Sequence, residues 1–118
     1  MKVSLTKTFY FSASHSQAGK IFGHNYRLGV TTQVADRNSE RILEEKVNGS
    51  IIQRVQSRDL GLHVDFLKGI SISDQNLLEV FWKILEREMK PLALLKLTLA
   101  RDERTQVTME RIPLGRQE

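Results

Sequence analysis

The sequence predicts an α+β fold in which two strands, two helices and two further strands follow one another, giving the order ββααββ. In the first and last parts of the chain, apolar residues alternate with polar ones, as in strands that have one buried face. In the middle, apolar residues recur every three or four positions, as on one side of a helix. A four-stranded antiparallel sheet with two helices on one face accommodates this order.

Two alternating segments predict the first pair of strands. Segments 3–11 and 25–35 each place their apolar residues on one parity, and only Lys7 interrupts the first series. Segment 12–23 between them is mostly small and polar, which predicts a substantial loop of the kind on which functional sites are often built. The residues of the two series are Val3, Leu5, Phe9, Phe11, Leu28, Val30, Thr32 and Val34.

Two helices and two closing strands are predicted after residue 40. The second helix is expected to begin at Ser73, a favourable N-cap, with Asp74 in its first turn, and to end before Pro91. Alternation returns in segments 95–99 and 107–109, which predicts the last two strands. The first helix is predicted from an apolar stripe with a spacing of four, formed by Leu43, Val47, Ile51 and Val55.

Composition limits the class of protein. The length of 118 residues predicts a single domain spanning 1–118, and no apolar run approaches the roughly 20 residues that cross a bilayer. The chain contains no cysteine, so it has no disulfide, thiolate zinc site or thiol nucleophile, and we expect a cytoplasmic protein. The net charge of +4 comes from interspersed charges without a basic stripe, which argues against a nucleic-acid partner.

Four segments are similar, in order and spacing, to motifs of one enzyme family. They are Phe-Ser-Ala-Ser-His at 11–15, Phe-Gly-His-Asn-Tyr at 22–26, Ser-Asp-Gln-Asn-Leu at 73–77, and Lys-Pro at 90–91 followed by Leu-Thr-Leu at 97–99. The sequence thereby resembles the 6-pyruvoyltetrahydropterin and 6-carboxytetrahydropterin synthases, as a degenerate member. The resemblance implies the T-fold of that family and a homo-oligomer, a trimer or a dimer of trimers, formed through the sheet edges.

The resemblance also implies an activity, zinc-dependent lyase chemistry on a dihydropterin triphosphate in tetrahydropterin or queuosine biosynthesis. In the family, the metal polarises the oxygen-bearing side chain of the pterin and makes neighbouring protons easier to remove. A cysteine backed by an Asp-His pair transfers protons, and a glutamate holds the pterin ring.

The histidines of this chain fall at family positions, with replacements beside them. His15 and His24 match two zinc ligands, whereas Phe22 stands where the third ligand is expected. His63 matches the histidine of the Asp-His pair and is the candidate catalytic residue, although Leu62 replaces its aspartate. Two carboxylates close in sequence, on Asp59 and Asp65, are left open as substitutes for that aspartate.

Other family groups are missing. The cysteine falls on Ala18 and the pterin-binding glutamate on Ala100, and neither methyl group can do that chemistry. Asp102 could replace the glutamate, because it shares the strand face of Ala100, which Glu103 does not. The family's Val-Asp-Phe motif matches either segment 43–45 or, with a deletion after it, segment 64–66. We prefer segment 43–45 because the spacing from His24 to His63 then suits the Asp-His pair.

Two functions follow from the sequence. One is a pterin synthase-like protein whose lyase activity is weak or lost. The alternative is a non-catalytic T-fold oligomer that binds a flat heterocycle or a protein partner.

Overall fold

A computed structural model describes residues 2–112, which form a four-stranded antiparallel sheet in the order β1-β2-β3-β4. The strands are β1 (Ser4–Gln17), β2 (Lys20–Gln33), β3 (Leu94–Ala100) and β4 (Gln106–Glu110). The helical segments lie between β2 and β3 in sequence and cover one face of the sheet. The predicted α+β class and ββααββ order are therefore confirmed.

The first two strands form a much longer hairpin than the sequence predicts. The expected loop at 12–23 is wrong, because β1 and β2 pair without interruption to Gln17 and Lys20. The turn is only Ala18 and Gly19, with φ angles of 51° and 79°, as a primed two-residue hairpin turn requires. The segment resembles a loop in sequence because its outward face carries small polar residues beside Ile21. Its inward face carries rings, Ala13, Gln17 and Lys20 where a typical strand has large aliphatic residues.

The outer half of this hairpin is a two-stranded ribbon. β3 pairs with β2 only from Arg27 to Thr32, so it does not extend along the part of the hairpin nearer the turn. Instead, a short loop braces the free edge of β1. Ser57 N donates to Ser12 O at 2.6 Å, and Leu60 N donates to Ser14 O at 2.7 Å.

The first helical stretch runs through α1 (Ser39–Val47), a π-helical turn (Asn48–Ile52) and α2 (Gln53–Val55). A spacing of four drifts by about 40° per repeat around a regular α-helix. The wider π turn compensates for this drift. Accordingly, all four residues of the predicted stripe, Leu43, Val47, Ile51 and Val55, are fully buried.

The second helix, α3 (Asp74–Glu88), follows a 3-10 turn at Asp65–Leu67. It begins as predicted, because the Ser73 hydroxyl accepts a hydrogen bond from Asn76 N at 3.1 Å. Its buried residues, including Phe81 and Leu85, pack on the inward face of the sheet. None of the helices in residues 2–112 combines the length and apolar character needed to cross a bilayer.

Lys7 is the exception on the inward face of β1. Its Nζ lies 3.1 Å from a carboxylate oxygen of Glu40 and 3.0 Å from one of Glu44. The carboxylate of Glu44, followed by that of Glu40, raises the pKa of the Lys7 ammonium. The lysine that interrupts the apolar series therefore joins β1 to the first turns of α1.

Candidate functional site

Beyond the aliphatic core, the inward face of the β1–β2 hairpin carries a column of rings. The strand register pairs His15 with Phe22, Ala13 with His24 and Phe11 with Tyr26. Ring centroids are 5.7 Å apart for His15 and Phe22, 5.5 Å for His15 and His24, and 5.8 Å for His24 and Tyr26. The alternation of side chains along β1 and β2 thus brings both predicted ligand histidines together, with Phe22 beside them.

Each imidazole has one buried nitrogen without a hydrogen-bond partner in the described part of the chain. These atoms are His15 Nδ1 and His24 Nε2. Burial lowers the pKa of His24, Arg101 and His15 lower it further, and Asp74 opposes them. These effects favour the neutral form of His24, which is the form that accepts a hydrogen bond or ligates a metal.

The residues present do not complete a zinc site of the usual catalytic kind. Such sites have three protein ligands and an open position. Two imidazoles with free nitrogens supply part of that set, and the Phe22 ring, which cannot ligate, lies next to His15. Within residues 2–112 no group of three histidine, cysteine, aspartate or glutamate side chains could hold a metal ion.

A groove runs from His15 towards the start of α3. One end is a cavity of about 240 Å³, and the adjoining cavity of about 380 Å³ shares His15, Gln17 and Ile72 with it. The smaller cavity is lined by His15, Gln17, Tyr26, Ile72, Ser73, Asp74 and Arg101.

An ion pair lies in the wall of the smaller cavity. The Nε of Arg101 is 2.9 Å from Oδ1 and 3.0 Å from Oδ2 of Asp74, and the Asp74 side chain is only 15% exposed. Tyr26 beside them is 1% exposed, and its ring stacks on Phe11 at 4.8 Å. Burial raises the pKa of the Tyr26 hydroxyl to about 12, so it stays protonated near neutral pH.

His63 is not brought to this groove. It lies exposed in the turn that precedes the 3-10 segment, and its backbone N–H donates to Asp59 O at 2.9 Å. Its residue lines neither cavity, whereas its neighbour Leu62 lines the larger one.

The two carboxylates considered as partners of His63 are committed elsewhere. Asp59 accepts hydrogen bonds from Gly61 N and Leu62 N, both at 3.0 Å, and from Ser16 Oγ at 3.0 Å. Asp65 forms a bidentate ion pair with Arg54 Nη2, both oxygens at 2.8 Å. Asp59 therefore joins its loop to β1, and Asp65 joins its turn to the first helical stretch.

Ala100 and Asp102 also lie away from the histidines. Ala100 pairs with Arg27 and Gln106, which places it on the sheet face opposite to Leu99. Asp102 closes the β3–β4 turn, accepting from Arg104 N at 2.8 Å and Thr105 N at 3.1 Å, and these bonds lower the pKa of its carboxyl group.

The residue of this region that lines the groove is Arg101, which was not predicted from the sequence. It stands one position past Ala100 and so shares the parity of the buried Leu97 and Leu99. This shared parity is the feature of the sequence from which the direction of the Arg101 side chain could have been predicted. Ala18, the position matched to the family's cysteine, lies at the tip of the hairpin, three residues beyond His15.

Solved structures show which fold this is. The chain superimposes on 6-pyruvoyl tetrahydropterin synthase of Caenorhabditis elegans with a TM-score of 0.80, 22% identity, and 95% and 97% of the two chains covered. For the Plasmodium falciparum enzyme the TM-score is 0.66 and the identity 14%, with 93% of this chain and 98% of that chain covered. For the Plasmodium vivax enzyme the TM-score is 0.62 and the identity 14%, with 94% of this chain and 98% of that chain covered.

The sequence itself gives no further match. No protein-family model matches the chain, and no curated protein matches it. At 22% identity and below, the structural similarities establish the fold, and they agree with the family that the sequence motifs resemble. The chain has the fold of the 6-pyruvoyl tetrahydropterin synthases.

Proposed function

We propose that this chain is a degenerate 6-pyruvoyl/6-carboxytetrahydropterin synthase-like protein in which the zinc-dependent lyase reaction on a dihydropterin triphosphate is weak or lost. One observation carries the proposal. His15 and His24 meet on the inward face with one free nitrogen each, and Phe22 stands beside them where a third ligand is expected. The arrangement keeps part of a metal centre and lacks the rest.

Proton transfer lacks its groups as well. Ala18 has a methyl group, and His63 lies exposed outside the groove. Tyr26 has a pKa of about 12 and is therefore a hydrogen-bond donor near neutral pH, not a base. General acid–base groups typically contribute about 10²–10⁴-fold to a rate, so we expect little turnover without them.

Metal analysis and a turnover assay test this proposal. The purified protein is expected to contain less than one zinc per chain and to leave dihydroneopterin triphosphate largely unconverted over hours. The double variant Phe22→His with Ala18→Cys should gain zinc first and activity only in part. The reason is that β3 contributes no carboxylate to the groove that could hold a pterin ring, and Arg101 lines the groove instead. Stoichiometric zinc together with rapid turnover by the unmodified protein would refute the proposal.

The second candidate is a non-catalytic T-fold protein that binds a small flat molecule or a protein partner. The groove favours this candidate, because it combines the His15 ring, the apolar Ile72 side chain and the ion pair of Arg101 with Asp74. Ligand binding without chemical conversion is its test. If neither a flat molecule nor a protein partner binds in the groove, this candidate is excluded.

We also propose that the protein is a cytoplasmic homo-oligomer, a trimer or a dimer of trimers. β1 and β4 are the two edges of the sheet, and unpaired strand edges favour pairing with another copy. Sedimentation velocity at micromolar concentration should show the assembly. A single monomeric species there would contradict it.

A further inference from the structure

Arg101 lines the smaller cavity, and its terminal nitrogens have no partner among residues 2–112. The ion pair with Asp74 uses the Nε atom, and Nη1 and Nη2 make no hydrogen bond with residues 2–112. The Arg101 side chain is 41% exposed. Two terminal nitrogens in one plane form a fork that matches the two oxygens of a carboxylate.

Tyr26 supplies a second unpartnered polar group in the same cavity. The residue is 1% exposed, and its hydroxyl makes no hydrogen bond with any side chain or backbone group of the described residues. The hydroxyl is not among the fully enclosed side-chain atoms that lack a partner, so it is open to the cavity that Tyr26 lines. A protonated hydroxyl in a cavity wall therefore offers a donor to a ligand.

The charges of Arg101 and Asp74 balance in this cavity, and it is the groups left free for a ligand that favour an anion over a cation. Asp74 is the only carboxylate among the described residues that line it, and both of its oxygens already contact Arg101. The donors that line it are the terminal nitrogens of Arg101 and the Tyr26 hydroxyl, together with the Gln17 amide and the Ser73 hydroxyl. The apolar Ile72 and the ring of His15 provide flat walls beside them.

We propose that this cavity binds a small planar carboxylate, whose oxygens pair with the Arg101 fork and whose ring lies against His15 and Ile72. The inference rests on the second candidate function, binding without turnover, and specifies its ligand class. Asp74 acts as a positioning residue, because it fixes the Nε side of the guanidinium and leaves the terminal nitrogens free.

Three probes of equal shape and different charge test the ligand class. Benzoate is an anion, benzamide is neutral and benzamidine is a cation. Each is titrated into the ¹⁵N-labelled protein, and the amide shifts of Gln17, Ser73 and Arg101 are followed. We expect benzoate to bind at least tenfold more tightly than benzamide, and benzamidine to bind most weakly.

Matched variants locate the recognition. Arg101→Gln should weaken benzoate at least tenfold, since it removes a charge-assisted bidentate pair. Arg87→Gln removes an exposed arginine near the other end of α3 and should leave benzoate binding within twofold. Tyr26→Phe removes one donor and keeps the ring, and should weaken benzoate about threefold or more.

The outcomes separate this inference from the function on which it rests. Tighter binding of benzamide or benzamidine, or unchanged benzoate affinity in folded Arg101→Gln, overturns the carboxylate class while leaving a ligand cavity. Absence of binding by all three probes at these amides overturns the inference and leaves the second candidate only its protein partner. The ¹⁵N spectrum of each variant reports whether its fold is retained.

Discussion

Replacing Phe22 by histidine should convert the ring column into a zinc site. In a tetrahedral site with Zn–N distances of about 2.0–2.1 Å, the centroids of two bound imidazoles lie roughly 5 Å apart. His15 and His24 have centroids 5.5 Å apart, and the Phe22 ring lies 5.7 Å from that of His15. A histidine that keeps the place of the Phe22 ring therefore lies at a centroid distance that suits a metal shared with His15, once the two rings turn their nitrogens towards it.

The size of the effect follows from zinc energetics. Structural sites with four ligands bind zinc with about 10–16 kcal/mol, so each ligand contributes roughly 3 kcal/mol, or about 100-fold in the dissociation constant. We expect Phe22→His to tighten zinc binding about 100-fold at pH 7.5, measured by competition with a chromophoric chelator. The cost to folding should be small because Phe22 is 41% exposed.

A neighbouring residue provides the control. Ile21 is 75% exposed and has the opposite parity on β2, so Ile21→His adds an imidazole on the other face of the hairpin. This variant should change zinc affinity less than threefold. Equal tightening by both variants, or no tightening by a folded Phe22→His protein, would show that the inward ring column is not where the metal binds.

Three further predictions concern stability, measured by urea unfolding. Tyr26→Phe should leave the free energy of unfolding unchanged to within about 1 kcal/mol, because the hydroxyl lines a cavity and makes no hydrogen bond with the described residues. Tyr10→Phe on the exposed face is its control, and a loss above 1 kcal/mol in Tyr26→Phe would contradict the reasoning. The lowered pKa of His24 means that the unfolded chain binds its proton more readily, so stability should fall as pH drops through about 6.5. His24→Gln should reduce that slope, whereas equal slopes in His24→Gln and the exposed His63→Gln would exclude this origin. Phe81→Ala should cost about 3–5 kcal/mol, since the ring is fully buried, and a loss below 1 kcal/mol would contradict this packing.

The fold follows from the sequence where one face of an element is aliphatic. The spacing of four from Leu43 to Val55 predicts the first helical stretch, and Ser73 predicts the start of α3. Segment 12–23 gave no such signal, because its inward face is only partly buried and carries rings, Ala13 and polar residues where a typical strand has large aliphatic ones. The pairing of β1 with β2 and the turn at Gly19 decide its structure, and neither is encoded by hydrophobic alternation.

The candidate site was predictable only where strand parity fixes side-chain direction. The resemblance identified His15 and His24, and β-pairing brings them together. Arg101 was missed because a one-residue displacement along β3 moves a side chain to the other face of the sheet. The direction of His63 depends on hydrogen bonds from the loop to Asp59, which no periodic pattern shows.

The two-stranded outer half of the hairpin, which carries the site, should open locally at a lower free energy than the rest of the sheet. Within residues 2–112 the segment 56–60 braces its free edge, while the inner half of β2 is held between two strands. Segments with fewer lateral bonds open with less free energy than the core. The amides of residues 13–24 should therefore exchange with deuterium by local fluctuation, ahead of those at 27–32. Anything bound between hairpin and α3 should slow that exchange, so affinity at this site includes the free energy of keeping the ribbon closed.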